Sequence, residues 1–267
     1  MLPLKNMFLL TVGMTLLVLY FVWASQLTEV ARRFAHQENV FMCHITLEDS
    51  RGIPFTHIAS PMPEVYRKAS IVPRGVANRR AALNWIRKHA EKGVIYFGDD
   101  DNTFDLRLFE EIRDTKKVSM FPVGLIGDYA VSSPVLKEGK VVGFFDSWPS
   151  KRKFPVDMAG FAVNVEFLLT HPNATMPYKA GYEEDHFLRS LGLTLEDIEP
   201  KADSCTQVFV WHTQTSKREP PTIKIGSQLD TSLKDLLEEI TSLGMARVSS
   251  SSGVKSYITK DGNTKTL

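Results

Sequence analysis

The run Gly93-Val94-Ile95-Tyr96-Phe97-Gly98-Asp99-Asp100-Asp101 sets three consecutive carboxylates behind a short apolar segment. A strand of that kind delivers its acids to the carboxyl edge of a sheet, where open α/β folds bind ligands. Clustered hard oxygen donors suit Mg²⁺ or Mn²⁺. Such an ion can bridge the phosphates of a nucleotide and offset the charge on a leaving diphosphate. The competing reading is a solvated acidic turn that caps the next helix. A second group lies in Pro73-Arg74-Gly75-Val76-Ala77-Asn78-Arg79. A glycine turn entering a helix offers backbone donors to an anion, and Arg74 and Arg79 add bidentate forks; an ordinary basic helix start has the same residues. His212, in Trp211-His212-Thr213-Gln214, closes an expected strand where it either meets phosphate oxygens or serves structure alone. Two acidic positions suit proton transfer. Asp157 is surrounded by apolar and small residues, the setting of a buried or cleft carboxylate. Glu183, Glu184 and Asp185 crowd a helix start after Gly181, where acids are favoured electrostatically with or without catalysis.

The elements that must position these groups follow from periodicity. Ala82, Trp85, Ile86 and His89 recur at i, i+3, i+4 and i+7, a helix face ended by Gly93, and Val94 to Phe97 suits a buried strand. Leu108, Phe109 and Ile112 suit a helix capped by Asp or Asn, and Val118 to Val123 a further strand. Strands are expected at Lys140 to Phe145, Phe161 to Val165 and Gln207 to Trp211, with helices near Phe167 to Leu169 and Glu183 to Leu191. This alternation predicts an α/β layered fold. Ser232, Leu233, Leu236, Leu237, Ile240 and Leu243 describe an amphipathic helix, and the polar stretch after Ala246 reads as a loose end.

Composition narrows the class. The 267 residues carry 32 Lys+Arg against 31 Asp+Glu, a net charge of +1, which disfavours a nucleic-acid binder. With 43% hydrophobic and 24% charged residues the chain is globular, not disordered. Cys43 and Cys205 are too few for a disulfide scaffold or a four-cysteine zinc site, though enough for one bridge. Met7 to Ala24 is uncharged, follows Lys5, and stays bulky up to Trp23, while Ala24-Ser25-Gln26 makes a poor cleavage site. An uncleaved signal-anchor is expected, with residues 1–6 as a cytosolic tail and 25–50 as a stem. Asn173-Ala174-Thr175 is a glycosylation acceptor if the C-terminal body is lumenal, and a chance triplet otherwise.

From about Arg51 to Thr215 the phrases resemble the β-1,3-glucuronosyltransferase family. They are Gly52-Ile53-Pro54-Phe55-Thr56-His57, Pro73-Arg74-Gly75 with Arg79, Tyr96-Phe97 before Asp99-Asp100-Asp101-Asn102-Thr103, Leu108-Phe109-Glu110-Glu111, Phe154 to Val163, and Trp211-His212-Thr213. The resemblance implies an α/β fold of GT-A nucleotide-sugar type over residues 51–216, incomplete in its donor-binding N-terminal half, followed by a divergent tail at 217–267. It also implies UDP-glucuronate as donor, a galactose-terminated glycan as acceptor, Mn²⁺ as cofactor, and a type II Golgi membrane protein, usually dimeric. It assigns Asp101 to the metal, Asp99 and Asp100 to the ribose and sugar, Arg74 and Arg79 to the donor, and His212 to the diphosphate. In Gly181-Tyr182-Glu183-Glu184-Asp185 it selects Glu184 as catalytic base, and it matches Trp148, Arg152 and Asp157 to acceptor contacts. Departures accompany the match. Gln214 replaces an arginine, the family's acceptor-side glutamate falls on Ser132, and a uridine-holding strand carrying Pro-Thr-Tyr is absent. His44 to Asp49 reads as a remnant of a second uridine-holding strand, which makes Asp49 a donor contact. These losses predict weak donor binding. The alternative function is therefore a catalytically impaired, membrane-anchored isoform that acts as an assembly partner.

Overall fold

The structure is a computed structural model that describes residues 45–48, 54–213, 218–226 and 228–267. The segment from Met7 to Ala24, Cys43, Asp49 and Gln214 lie outside the described residues. Among those described, no helix is long and apolar enough to cross a membrane. The chain divides into two compact units, Met1–Pro61 and Met62–Leu267. In the first, β1 (Ile45–Glu48) pairs antiparallel with β2 (Pro54–His57).

The second unit is mixed α/β, the class expected. A short helix, α1 (Glu64–Arg67), precedes α2 (Val76–His89), which enters through Gly75 at φ 74, a left-handed conformation that glycine adopts without steric cost. Its buried face is Val76, Ala77, Ala81 and Leu83, rotated from the expected one. The helix starts earlier than the periodicity suggested, and Trp85 instead stacks on His89 with ring centroids 4.9 Å apart. Four strands follow one another in the order β10 (Ile198–Pro200), β5 (Val118–Met120), β9 (Phe161–Asn164) and β3 (Val94–Tyr96). Only β10 and β5 run parallel.

The larger sheet has the order β16 (Asn263–Thr266), β15 (Tyr257–Lys260), β8 (Lys140–Phe145), β7 (Val131–Lys137), β6 (Val123–Gly124), β11 (Val210–His212) and β4 (Asn102–Phe104). The single strand expected over Val118 to Val123 is split between the two sheets, because Pro122 has no N–H to continue a ladder and the chain changes sheets there. The acidic run 99–101 has the matching role on the other side, joining β3 of one sheet to β4 of the other. Three apolar clusters fill the space around these layers, built on Phe144, Phe154, Phe161 and Phe187, on Tyr129, Phe145 and Leu236, and on Leu108, Phe121 and Phe209.

The tail is ordered, contrary to the loose end expected of it. Helix α3 (Arg107–Ile112), α4 (Val165–Leu169) and α5 (Glu183–Ser190) precede α6 (Leu233–Ser242), whose Leu233, Leu236, Leu237 and Ile240 are buried against Val131, Val135 and Phe145. Strands β13 (Arg247–Ser249) and β14 (Val254–Lys255) flank β12 (Thr222–Lys224). Strands β15 and β16 form a hairpin through Asp261-Gly262, both at positive φ, and β15 extends the larger sheet by pairing with β8. Asp-Gly is the strongest two-residue hairpin signal, and it prevails here over the polarity of the surrounding residues.

Between β10 and β11, Ala202, Asp203, Ser204 and Cys205 all have φ between 52 and 62, a left-handed turn made without glycine. Glu111 Oε2 accepts from the Ala202 N–H at 2.8 Å and fixes its entry. Cys205 is a buried free thiol whose pKa burial pushes well up, so it is unreactive.

Candidate active site

The acidic run does not cap the next helix. Asp105, ahead of the Leu106 N-cap of that helix, accepts from the Arg107 N–H at 2.9 Å. Asp99 instead takes the guanidinium of Arg79, and its N–H donates to Asn102 Oδ1 at 2.8 Å. Arg79 reaches it from the first turn of α2, folded back over Gly75. A Cβ added at Gly75 would sit 2.6 Å from Arg79 Nη1, so a larger residue there would displace the guanidinium from Asp99. Arg74 is exposed beside this pair, as is Asp100.

Strand pairing brings His212 to the same place. In the β11–β4 ladder His212 lies opposite Asn102, and the Thr213 N–H donates to the Asp101 carbonyl at 2.7 Å. The His212 ring bridges two carboxylates, with Nε2 3.1 Å from Asp157 Oδ1 and Nδ1 3.5 Å from Asp101 Oδ2. The Asp157 hydrogen bond, reinforced by the charges of Asp157 and Asp101, outweighs burial and lifts the imidazole to about 9. His212 is therefore a cation at neutral pH, located between the acidic run and Asp157.

This makes a testable contribution to stability. The folded value exceeds the usual 6.5, so the stabilisation is present in full below pH 6.5 and is lost as pH rises through about 9. In Asp157→Asn that dependence should flatten, as measured by denaturant midpoints taken from pH 6 to about 10.

Asp157 also faces a cleft of about 180 Å³ lined by Gly127, Asp146, Trp148, Arg152, Gly181 and Glu184, among others. Trp148 is 46% exposed and presents an aromatic platform. Arg152 lies with its guanidinium carbon 4.6 Å from the Trp148 ring centroid, and Tyr182 meets the same ring edge-on at 5.8 Å. Glu184 enters from the first turn of α5. Burial, with Asp157 and Glu183 nearby, raises its carboxyl to about 7, the range in which a group both takes and returns protons at neutral pH. Its neighbours do other work: Asp185 accepts the N–H groups of Lys153 and Phe154 at 2.8 and 2.9 Å and ties α5 to the Arg152 segment. Gly181 lies at φ 79, and a Cβ there would approach Trp148 to 2.2 Å. Gly181→Ala should destabilise the chain by about 1–3 kcal/mol, the cost of a left-handed non-glycine residue, and should shift tryptophan emission as Trp148 is displaced. An unchanged spectrum and midpoint would contradict this packing.

Asp146 is the cleft carboxylate that the motifs did not single out. It is buried, pairs with Arg152 Nη2 at 3.0 Å, and accepts from the Trp148 N–H at 2.7 Å and from Ser132 Oγ at 2.6 Å. Burial raises its pKa, opposed by Arg152 and these hydrogen bonds. The signal that could have found it is the one used for Asp99, an acid at the end of an apolar strand.

The residues also allow a test for a divalent cation. Among the described residues no group of three or more His, Cys, Asp or Glu side chains could hold one unaided. Asp101 does offer a hard carboxylate, 55% exposed, beside cationic His212. That fits an ion carried on one carboxylate with phosphate oxygens and water completing its shell, and does not fit a closed protein cage.

The chain is 54% identical over 215 residues to galactosylgalactosylxylosylprotein 3-beta-glucuronosyltransferase S of Drosophila melanogaster, covering 79% of this chain and 53% of that protein. It is 52% identical over 174 residues to galactosylgalactosylxylosylprotein 3-beta-glucuronosyltransferase P of the same organism, covering 64% of this chain and 36% of that protein. It is 43% identical over 174 residues to galactosylgalactosylxylosylprotein 3-beta-glucuronosyltransferase 2 of Homo sapiens, covering 62% of this chain and 53% of that protein. The chain thus spans about half the length of these relatives, or less. The model of glycosyltransferase family 43 matches residues 36–216, a stretch that takes in the acidic run, the Trp148 cleft, Glu184 and His212. With most of its length matched and its site residues inside the match, the chain belongs to glycosyltransferase family 43, an α/β family of GT-A type.

Proposed function

We propose that this chain transfers glucuronic acid from UDP-glucuronate to the 3-hydroxyl of a terminal galactose in glycoprotein or proteoglycan linker glycans, with inversion at the anomeric carbon. The observation that carries the reading is the bridge through Asp157: one carboxylate faces both the Glu184 cleft and the His212–Asp101 end. In this reading the acceptor galactose lies on Trp148 beside Arg152 and Asp157, and Glu184 withdraws the proton of its attacking hydroxyl. UDP lies toward Arg74, Arg79 and the acids 99–101, where His212 stabilises the departing diphosphate as a cation. Asp101 would hold Mn²⁺, which when bound supplies further positive charge to the diphosphate. Asp49 would add a uridine contact.

The direct test is UDP-glucuronate turnover by the full chain on a galactose-terminated disaccharide, with and without Mn²⁺. Metal-dependent transfer supports the reading. Absence of transfer from a folded chain that binds neither UDP nor the disaccharide overturns it.

The same reading makes the chain a single-pass type II Golgi membrane protein, anchored by residues 7–24, with the catalytic part lumenal and able to dimerise. Asn173 suits this. It is exposed in a turn where the Ala174 N–H donates to the His171 carbonyl at 3.0 Å, and Arg80 Nη1 holds the Met176 carbonyl at 2.6 Å. Glycosidase treatment of protein from secretory-competent cells should increase gel mobility, and Asn173→Gln should abolish that change.

A further inference from the structure

We propose that Asp146, held in place by Ser132, is a specificity-determining residue for the acceptor sugar, a fixed hydrogen-bonding edge in the cleft that selects which hydroxyl pattern fits beside Arg152. The proposal rests on the reading of this cleft as the acceptor site. An ionised carboxylate offers about four lone-pair sites. In Asp146 three are engaged, by Ser132 Oγ, the Trp148 N–H and Arg152 Nη2. The residue nevertheless lines the cleft, with its side chain 12% exposed, and the remaining site is the one assigned to a sugar hydroxyl. Each of its three donors matters to recognition. Trp148 is the platform, and Arg152 is the cation packed on that platform. Ser132 comes from the neighbouring strand β7 and fixes the carboxylate through its 2.6 Å bond. The β7–β8 register, in which Ser133 lies opposite Phe145, carries Ser132 and Asp146 to facing positions. The Ser132 bond therefore fixes where the carboxylate points, and with it where a sugar hydroxyl bound to it must lie.

The experiment compares wild-type full chain with Asp146→Asn and Ser132→Ala. Each is assayed for UDP-glucuronate turnover on two galactose-terminated disaccharides that differ in linkage, and for binding of those disaccharides by calorimetry. A lost hydrogen bond to a charged group predicts an acceptor KM raised by about 10- to 10²-fold in Asp146→Asn, with kcat and UDP affinity unchanged. Ser132→Ala, which removes one of the bonds that orient the carboxylate, should give a smaller rise with a changed preference between the disaccharides. Acceptor KM and preference that stay fixed, or that move only together with kcat, UDP affinity and melting temperature, would overturn the proposal, since a structural role alone moves all of these. The two readings fail separately. Transfer without Asp146-dependent acceptor affinity sinks this inference and leaves the proposed function standing, whereas Asp146-dependent disaccharide binding without transfer does the reverse.

Discussion

Replacing Glu184 by glutamine should lower kcat by about 10² to 10⁴, the range for loss of a positioned general base, and should leave UDP binding intact. The pH profile supplies the second arm. Glu184 must be ionised to accept the acceptor proton, and burial holds its carboxyl near 7, so wild-type turnover should climb as pH rises through that value. The variant should lose this limb. Stability should move the opposite way. A folded value raised above the usual 4.5 favours the fold below 4.5, and that contribution is lost as pH rises through about 7. At pH 8 the wild type therefore carries an ionised carboxylate in a half-buried site, and Glu184→Gln should unfold at equal or higher denaturant concentration. Turnover lost without loss of stability separates a catalytic role from a structural one. The companion Glu183→Gln should cost little turnover, and the reverse ranking would move the base by one residue.

The second large effect is expected at Asp101. An ion that offsets diphosphate charge contributes several kcal/mol, about 10²-fold or more, so Asp101→Ala should abolish the part of UDP affinity that depends on Mn²⁺. The fold should survive. The Thr213 bond is made to the Asp101 backbone carbonyl, and His212 keeps its closer partner Asp157. Calorimetric titration of UDP with and without Mn²⁺ measures the difference directly. A folded variant with unchanged metal-dependent binding would remove Asp101 from the metal.

The sequence exposed groups at the ends of elements more plainly than groups joined by strand pairing. The acids 99–101 follow an apolar strand and Glu184 opens a helix, so each is written in a local pattern that period and spacing reveal. Asp146 also closes an apolar strand, but its bond to Ser132 depends on a pairing between two strands. Its partner strand was concealed because Ser132-Ser133-Pro134 has the composition of a turn. The structure accommodates Pro134 in β7 because β6 pairs only with Val131 and Ser132, so the proline nitrogen faces no ladder on that side. Asp157 was recognised as a cleft acid, but its hydrogen bond to His212 joins residues from separate parts of the chain and has no local signature. The same holds for the tail. Its helix is legible from spacing and its last hairpin from Asp261-Gly262, whereas β12, β13 and β14 acquire meaning only from the sheet they form.

The pairing of β15 with β8 has a kinetic consequence. On one side β8 is joined to β7 by the tight turn Glu138-Gly139, a contact that closes within microseconds in isolated hairpins. On its other side it waits for Thr259 to reach Phe144 from far along the chain, a closure whose entropy must be met before any contact rewards it. Until that happens, the strand leading into Asp146 has an open edge, the kind of surface on which partly folded chains associate. Refolding yield should therefore fall with protein concentration more steeply than the native surface suggests, and the productive route runs through the hairpin of residues 257–266 docking before another molecule does.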